Sequence, residues 1–219
     1  MKILCCTYRP WAEKIYLNLR NQFTEHQFVI INTREEMSYD DIERIHPDII
    51  LWYGWSWIIP DYILQKYFSV MLHPSPLPKY RGGSPIQNQI VNGDTSSAVT
   101  LFKMDRGIDT GDIILQESFE MDGELSDILD SISSIGTKLS KSMIENFANI
   151  DNIMYKQNED LATYYPRRTP KQSEITIDEI KEHTAEQLYN KIRCLQDPYP
   201  NAYIVCKDGT KLYITKSHI

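Results

Sequence analysis

Short apolar runs separated by amphipathic segments make up the first third of the chain. The runs are KILCCTY (2–8), QFVIINT (27–33), DIILWYG (48–54) and FSVMLH (68–73). Apolar residues four apart, the period of one helix face, follow the first run at Trp11, Ile15, Leu19 and Phe23. Runs that are apolar throughout are typical of strands buried on both faces. The pattern therefore predicts a doubly wound α/β unit with a Rossmann-like, mostly parallel sheet.

The second half of the chain changes in pattern. Two strand-like runs, AVTLFKM (98–104) and DIILQESFEM (112–121), enclose the loop DRGIDTG, and a helix is predicted from about Leu125. The face of that helix carries Ile128, Ile132, Ile135, Leu139, Met143 and Phe147. The polar stretch 151–175 is predicted to be an extended connector.

The last forty residues predict a helix and a β-hairpin. Thr184 and Gln187 form a T-x-x-Q capping box, and the apolar face that follows consists of Leu188, Ile192 and Leu195. Asp208-Gly209 is a hairpin turn between AYIVCK and TKLYIT. We therefore expect a main domain with its connector over 1–179 and a C-terminal helix-plus-hairpin subdomain over 180–219. The hairpin edge is a candidate surface for a homodimer.

Composition narrows the class of protein. The chain has 219 residues, 42% of them hydrophobic and 24% charged, as in ordinary globular proteins. Its net charge of −7 gives no broad basic field, so nucleic acid is not the expected partner. No apolar stretch approaches the roughly 20 residues of a membrane span, and no signal-peptide core is evident, so a cytoplasmic protein without membrane contact is expected. The first turn, CTYRPWA, lacks the glycines of a dinucleotide site.

The four cysteines show no C-x-x-C spacing. They are Cys5, Cys6, Cys194 and Cys206. Buried reduced thiols are therefore expected, with no disulfide, no zinc and no other metal site.

His73 is the first candidate for catalysis. It lies at the end of an apolar strand, where Pro74 cannot continue a central ladder, and it shares a strand face with Met71 and Ser75. Ligands of open α/β sheets bind at the carboxyl ends of strands. An aspartate from DRGIDTGD beside this histidine would suit acid–base catalysis. The alternatives are that His73 only caps its strand and that the aspartates are turn formers.

Two motifs, HPSPLPKYRGGSPIQNQIVNGD (73–94) and MDRGIDTGDII (104–114), resemble the 10-formyltetrahydrofolate-dependent formyltransferase family. The resemblance implies that His73 and Asp109 are catalytic, and it extends to the C-terminal AEQLYNKIRCLQDPYPNAY. It implies acyl transfer from N10 of the folate to a neutral amine, in which His73 shuttles protons and Asp109 orients His73 and stabilises its cation.

The resemblance also implies that the folate co-substrate binds between two loops, which correspond here to 51–60 and 104–112. The candidate contacts are Trp55, Ser56, Trp57, Ile58, Asp105, Gly107 and Ile108. For the two tryptophans the alternative is a place in the core.

Met71 departs from the family signature, which has an asparagine two residues before the histidine. That amide helps to bind the developing oxyanion, and methionine cannot donate a hydrogen bond. Losing one such donor typically costs about 10² to 10³ in turnover. The chain is therefore a slow or inactive homologue, or another donor takes over, or the residue was altered deliberately. A non-catalytic homologue that binds folate or sugar is the alternative from another functional class. Candidate donors are protonated His73, Ser75, Gln87, Asn88 and a backbone N–H.

The amine that receives the formyl group is inferred from two features. The segment YYPRRTPKQSEI (164–175) resembles one in sugar N-formyltransferases, and the region from Arg167 onward, with nine Lys and Arg against seven Asp and Glu, has too few basic residues for strong phosphate binding. We therefore expect a nucleotide-linked amino deoxysugar for surface glycans, with methionyl-tRNA and glycinamide ribonucleotide as alternatives. Lys79, Arg81 and Arg9 are candidate diphosphate contacts, the alternative being that Lys79 and Arg81 only brace the turn.

Overall fold

The computed structural model describes residues 1–35 and 38–219. Its strands are β1 (Lys2–Cys6), β2 (Gln27–Ile31), β3 (Ile49–Leu51), β4 (Phe68–His73), β5 (Arg81–Gly82), β6 (Ser96–Lys103), β7 (Ile113–Glu120), β8 (Tyr164–Tyr165), β9 (Ala202–Val205) and β10 (Lys211–Ile214). Its α-helices are α1 (Pro10–Gln22), α2 (Tyr39–Ile45), α3 (Asp61–Lys66), α4 (Pro85–Val91), α5 (Leu125–Glu145), α6 (Ile177–Glu182) and α7 (Ala185–Arg193).

A six-stranded sheet with the order β2-β1-β3-β4-β6-β7 forms the centre of the molecule. The four strands β2, β1, β3 and β4 are parallel, and β6 and β7 continue the sheet antiparallel. The predicted α/β class with a mostly parallel sheet is confirmed. The short β6–β7 loop accounts for the antiparallel β6–β7 pair, because parallel neighbours need a long crossover connection.

Alternate residues of the strands enter two separate cores. In β1, Ile3 and Cys5 pack in the larger cluster with α1 and α5, whereas Leu4 and Cys6 pack in a second cluster on the other face. Successive strand residues point to opposite faces, and both faces here are covered by helices. The unbroken apolar run KILCC is the sequence consequence of that double burial.

The predicted long helix begins at Leu125, where Glu124 and Asp127 form a capping box, and it ends at Glu145. Phe147, predicted as the last residue of its apolar face, lies instead in the 3₁₀ turn Phe147–Asn152. The predicted hairpin is β9 paired antiparallel with β10, with Gly209 at φ 81° in the turn.

The segment predicted as an extended connector has more structure than expected. It contains the 3₁₀ turns Glu159–Leu161 and Pro170–Ser173, and its strand β8 pairs in parallel with β5. Two further helices, α4 and α6, had no periodic signal long enough to predict them. The division at 179/180 falls within α6 and stays a prediction, as does a homodimer through the hairpin.

Cys5, Cys6 and Cys194 are buried, as expected. Cys206 is exposed, because it lies where the hairpin turn begins. Within the described residues, no helix has the length and apolar character to cross a bilayer. Over residues 1–35 and 38–219, no three His, Cys, Asp or Glu side chains are grouped to hold a metal ion.

Candidate active site

A cavity of about 850 Å³ opens where β1, β3 and β4 end. Its wall includes Arg9, which follows β1, Gly54, which follows β3, and His73, the last residue of β4. Ligands of α/β sheets bind at this edge, and small-molecule sites measure roughly 300 to 1,000 Å³. His73 therefore lies in a crevice of the size and position expected for a substrate site.

The His73 ring is held by a main-chain carbonyl. Its side chain is 7% exposed, and its Nε2 lies 2.8 Å from the carbonyl oxygen of Tyr80. A carbonyl oxygen can only accept, so Nε2 carries a proton and donates it. In the neutral ring Nδ1 is then the unprotonated nitrogen, and it faces Asp109. The carbonyl of Tyr80 thus determines the tautomer of His73.

Tyr80 itself is fixed from several sides. Its backbone has φ 60°, a left-handed conformation that is uncommon for a residue with a Cβ. Its N–H donates to Thr163 Oγ1, and its ring stacks on Tyr165 with centroids 4.7 Å apart. The Asn92 amide donates to both phenol oxygens. These contacts keep the Tyr80 carbonyl directed at His73.

Asp109 lies next to His73 at a distance longer than a hydrogen bond. Its Oδ2 is 3.6 Å from His73 Nδ1, and it accepts a 2.8 Å hydrogen bond from the Gly82 N–H. A Cβ on Gly82, which has φ 96°, would lie 2.4 Å from the Tyr165 carbonyl oxygen, so this position requires glycine. The predicted pair is brought together, but the tautomer-setting contact belongs to Tyr80. The catalytic roles of both side chains stay predictions.

Another aspartate of the DRGIDTGD loop is a turn former. Asp105 Oδ1 accepts hydrogen bonds from the Gly107 N–H and from Thr110 Oγ1. Asp105 is therefore a turn former, as one of the two interpretations of these aspartates predicted. It also lines the cavity.

Met71 lies on β4 and lines the same cavity as His73. It packs beside Phe102, whereas its neighbour Leu72, which also lines the cavity, packs in the core on the opposite face of the sheet. The role of position 71 in binding the oxyanion stays a prediction.

Two of the candidate oxyanion donors are already used elsewhere. Ser75 Oγ donates to the Lys79 carbonyl, and Asn88 Nδ2 donates to the Gly83 carbonyl. Gln87 lies in the cavity wall near Tyr199.

All seven predicted folate contacts line the cavity: Trp55, Ser56, Trp57, Ile58, Asp105, Gly107 and Ile108. Trp55 is 6% exposed and belongs to the second core cluster as well, so both interpretations of this tryptophan hold. Its Nε1 is one of the buried donors that have no hydrogen-bond partner within the described residues. Trp11, Gln87 and Arg168, which also line the cavity, have buried N–H donors without a partner in that part of the chain as well, and such donors beside aromatic side chains suit a heterocycle that carries acceptor groups. Asp61 and Arg106, 3.1 Å apart, connect the two loops.

Arg81, predicted as a phosphate contact, is a structural residue. Its side chain is 0% exposed and it donates to Glu159, Gln157 and Tyr164. Hydrogen bonding to Glu159 raises the pKa of the guanidinium, so it stays charged. The phosphate interpretation of Arg81 is wrong because the connector satisfies its donors. Lys79 is exposed, and it is not one of the described residues that line the cavity.

Three other basic side chains meet at the cavity wall. Arg9 lies over the rings of Tyr8 and Tyr199, at 4.5 and 5.0 Å from their centroids. Arg167 and Arg168 of the R-R-T-P motif line the same cavity. The motif was predicted to lie in an extended connector, because the β5–β8 pairing that brings it back to the site has no local signal.

Comparison with known proteins gives a consistent result. The formyl transferase family model matches residues 20–142. Methionyl-tRNA formyltransferase of Rickettsia felis is 34% identical over 192 residues, which are 84% of this chain and 61% of that protein. The solved structure of methionyl-tRNA formyltransferase from Clostridium thermocellum superposes with a TM-score of 0.82 at 31% identity, covering 98% of this chain and 97% of that chain.

The expectation of an amino-sugar acceptor is wrong. A 4-N formyltransferase from Francisella tularensis superposes with a TM-score of 0.80 but is only 20% identical, which shows a shared fold alone. The R-R-T-P motif did not distinguish between the two kinds of acceptor, sugar and tRNA, because its arginines form part of the cavity wall. The count of basic residues did not discriminate either, because the match spans 61% of the length of the R. felis enzyme and leaves the rest of that enzyme out.

Proposed function

Since the chain belongs to the formyl transferase family, we propose that it transfers the formyl group of formyl-tetrahydrofolate to the amino group of methionyl-tRNA. The observation that carries the choice of acceptor is the 31% identity to the C. thermocellum enzyme over nearly the full length of both chains. The wall formed by Arg9, Arg167 and Arg168 supports it, because guanidinium groups at a cavity suit the phosphates of an RNA end.

The co-substrate supplies an activated formyl carbon bound to nitrogen. In the transfer, the amine nitrogen forms a bond to that carbon, the bond from the carbon to the folate nitrogen breaks, and one proton passes from the amine to the folate nitrogen. The loops that carry Trp55 and Ile108 would hold the folate, and the chain must then supply a group that moves the proton.

His73 is suited to that proton transfer. Its Nε2–H remains bound to the Tyr80 carbonyl in both protonation states, so the ring does not have to turn when Nδ1 takes up a proton. The Asp109 carboxylate, 3.6 Å from Nδ1, stabilises the resulting imidazolium. The Gly82 N–H holds the carboxylate at this place. His73 thus receives the proton of the attacking amine and passes it on.

A panel of acceptors tests the proposed substrate. We expect formyl transfer from formyl-tetrahydrofolate to methionyl-tRNA with a kcat/KM at least about 10²-fold above those for glycinamide ribonucleotide and for nucleotide-linked amino sugars, since a fitted site discriminates to this degree. Product is measured as formylmethionine after mild deacylation of the tRNA. Methionyl-tRNA with an acetylated amino group is the control and should accept nothing. A higher kcat/KM for either small acceptor would contradict the proposal.

The substitution Met71→Asn is expected to accelerate the reaction. The amide would enter the same cavity as His73 and donate to the developing oxyanion, which raises kcat by up to about 10² to 10³. KM should change much less, because the donor acts mainly in the transition state. The isosteric control Met71→Leu restores no donor and should remain at the parental rate. Equal rates for Met71→Asn and the parent would mean that another group already serves the oxyanion.

A further inference from the structure

Gln157 connects the loop of Asp109 to the buried Arg81. Gln157 is 8% exposed, and its Nε2 donates to the carbonyls of Asp109, at 2.9 Å, and Gly111, at 2.8 Å. Its Oε1 accepts from Arg81 Nε, at 3.0 Å, and from Arg81 Nη2, at 2.7 Å. Two donated and two accepted hydrogen bonds use the full capacity of a side-chain amide. The amide therefore has one orientation and one position.

Arg81, which binds Gln157, is itself held in place by hydrogen bonds. The two guanidinium Nη atoms donate to the Glu159 carboxylate at 2.8 and 2.7 Å, and Nη1 also donates to the Tyr164 hydroxyl at 2.6 Å. Arg81 belongs to β5, whose next residue is Gly82, the donor to Asp109 Oδ2. Asp109 is thus held through its main chain by Gln157 and through its side chain by Gly82.

This double attachment matters because the backbone of Asp109 has an uncommon conformation. Its φ of 55° lies in the left-handed region, which aspartate tolerates better than most residues with a Cβ but which still costs free energy relative to commoner conformations. The two carbonyls that Gln157 binds, those of Asp109 and Gly111, flank the remainder of this turn. Without the amide, the turn has less to oppose relaxation to a commoner conformation, and the carboxylate would move relative to His73.

We propose that Gln157 is a positioning residue for Asp109, whose role beside His73 rests on the proposed function. Displacement of a catalytic group by about 1 Å costs about 10² in rate. The hydrogen bonds of Gln157 go to Arg81, Asp109 and Gly111, so its effect on His73 passes through the Asp109 turn.

The substitution Gln157→Glu tests this role directly. It keeps the size of the side chain and the acceptor for Arg81, but it replaces the donor to the two carbonyls by an oxygen. We expect kcat to fall about 10²-fold with little change in KM for folate and acceptor. Asn158→Asp is the matched control, because it adds the same charge at the next residue, where the side chain only accepts from the Asp160 N–H. That control should keep the parental kcat.

Hydrogen exchange provides a readout that is independent of activity. The Gly82 N–H is bound to the Asp109 carboxylate, and the Gly83 N–H is bound to the Tyr165 carbonyl. In Gln157→Glu the Gly82 amide should exchange at least about tenfold faster, while the Gly83 amide keeps its rate. Faster exchange of both amides would indicate general loosening of the strand pair and would overturn the positioning role.

A double-mutant cycle identifies the route of the effect. In an Asp109→Asn background the change Gln157→Glu should cost almost nothing further, since the carboxylate it positions is gone. An undiminished loss in that background would overturn the proposal. Gln157→Asn is the reserve variant if Gln157→Glu does not fold. The asparagine side chain is too short to bind Arg81 and the turn together, so this variant should show the same exchange pattern. If the parent formylates no acceptor, the proposed function fails, whereas the exchange result still decides whether Gln157 holds Asp109.

Discussion

Replacing His73 by alanine should lower kcat for formyl transfer by about 10² to 10⁴, the usual contribution of a general acid–base group. The reason is geometric: His73 Nδ1 faces Asp109 in the cavity, and the ring is locked by the Tyr80 carbonyl in the tautomer that leaves this nitrogen free. Folate binding should be retained, because the wall around Trp55 and Ile108 does not depend on the imidazole.

The measurement pairs turnover with the Kd of a stable folate analogue. Because alanine leaves the buried Tyr80 carbonyl without its donor, His73→Gln is the companion variant, whose amide can still donate to that carbonyl. Both variants should be folded and slow. If turnover and folate affinity fall by the same factor, His73 is a structural residue and not the proton carrier.

The second large effect is expected for Asp109→Asn, with kcat lower by about 10² to 10⁴. Asparagine tolerates the left-handed backbone at φ 55°, and its amide oxygen can accept from the Gly82 N–H, so the turn should persist. What disappears is the negative charge 3.6 Å from His73 Nδ1, which stabilises the imidazolium. In a hydrolase triad the aspartate also sets the tautomer of the histidine. Because Tyr80 does so here, the fall in kcat of Asp109→Asn measures the effect of the negative charge more directly.

Asp105→Asn is the control for the same loop. Its Oδ1 accepts from Gly107 and Thr110, and an amide oxygen can do the same, so its kcat should stay near the parental value. The unfolding midpoints of the parent, Asp109→Asn and Asp105→Asn should agree before their rates are compared. A severe loss in Asp105→Asn with an active Asp109→Asn would show that the catalytic aspartate had been assigned to the wrong loop position.

The strands of the central sheet, the long helix and the hairpin were predictable because their signals are local. The KILCC run predicts a doubly buried strand, the 3-and-4 spacing after Leu125 predicts α5, and Asp208-Gly209 predicts the turn between β9 and β10. His73 was predictable for the same reason, since Pro74 ends its strand at the sheet edge where ligands bind. Family resemblance then indicated Asp109 and the importance of Met71.

The connector was not predictable in the same way. Arg81 resembles an exposed phosphate contact in the sequence, yet it is buried by Gln157, Glu159 and Tyr164, more than seventy residues later in the chain. The same fold-back brings Arg167 and Arg168 to the cavity.

The sequence by itself determined the α/β class, most elements that carry the site and the position of His73 at the end of its strand, because hydrophobic period and turn chemistry act between near neighbours, whereas Asp109 was indicated by the family resemblance. Only the tertiary structure decided how that site is held. The Tyr80 carbonyl, and not Asp109, sets the tautomer of His73, and Gln157 joins the Asp109 turn to Arg81. These contacts form between main-chain and side-chain groups far apart in the chain, and a buried donor or acceptor finds its partner only after packing has removed water as the alternative.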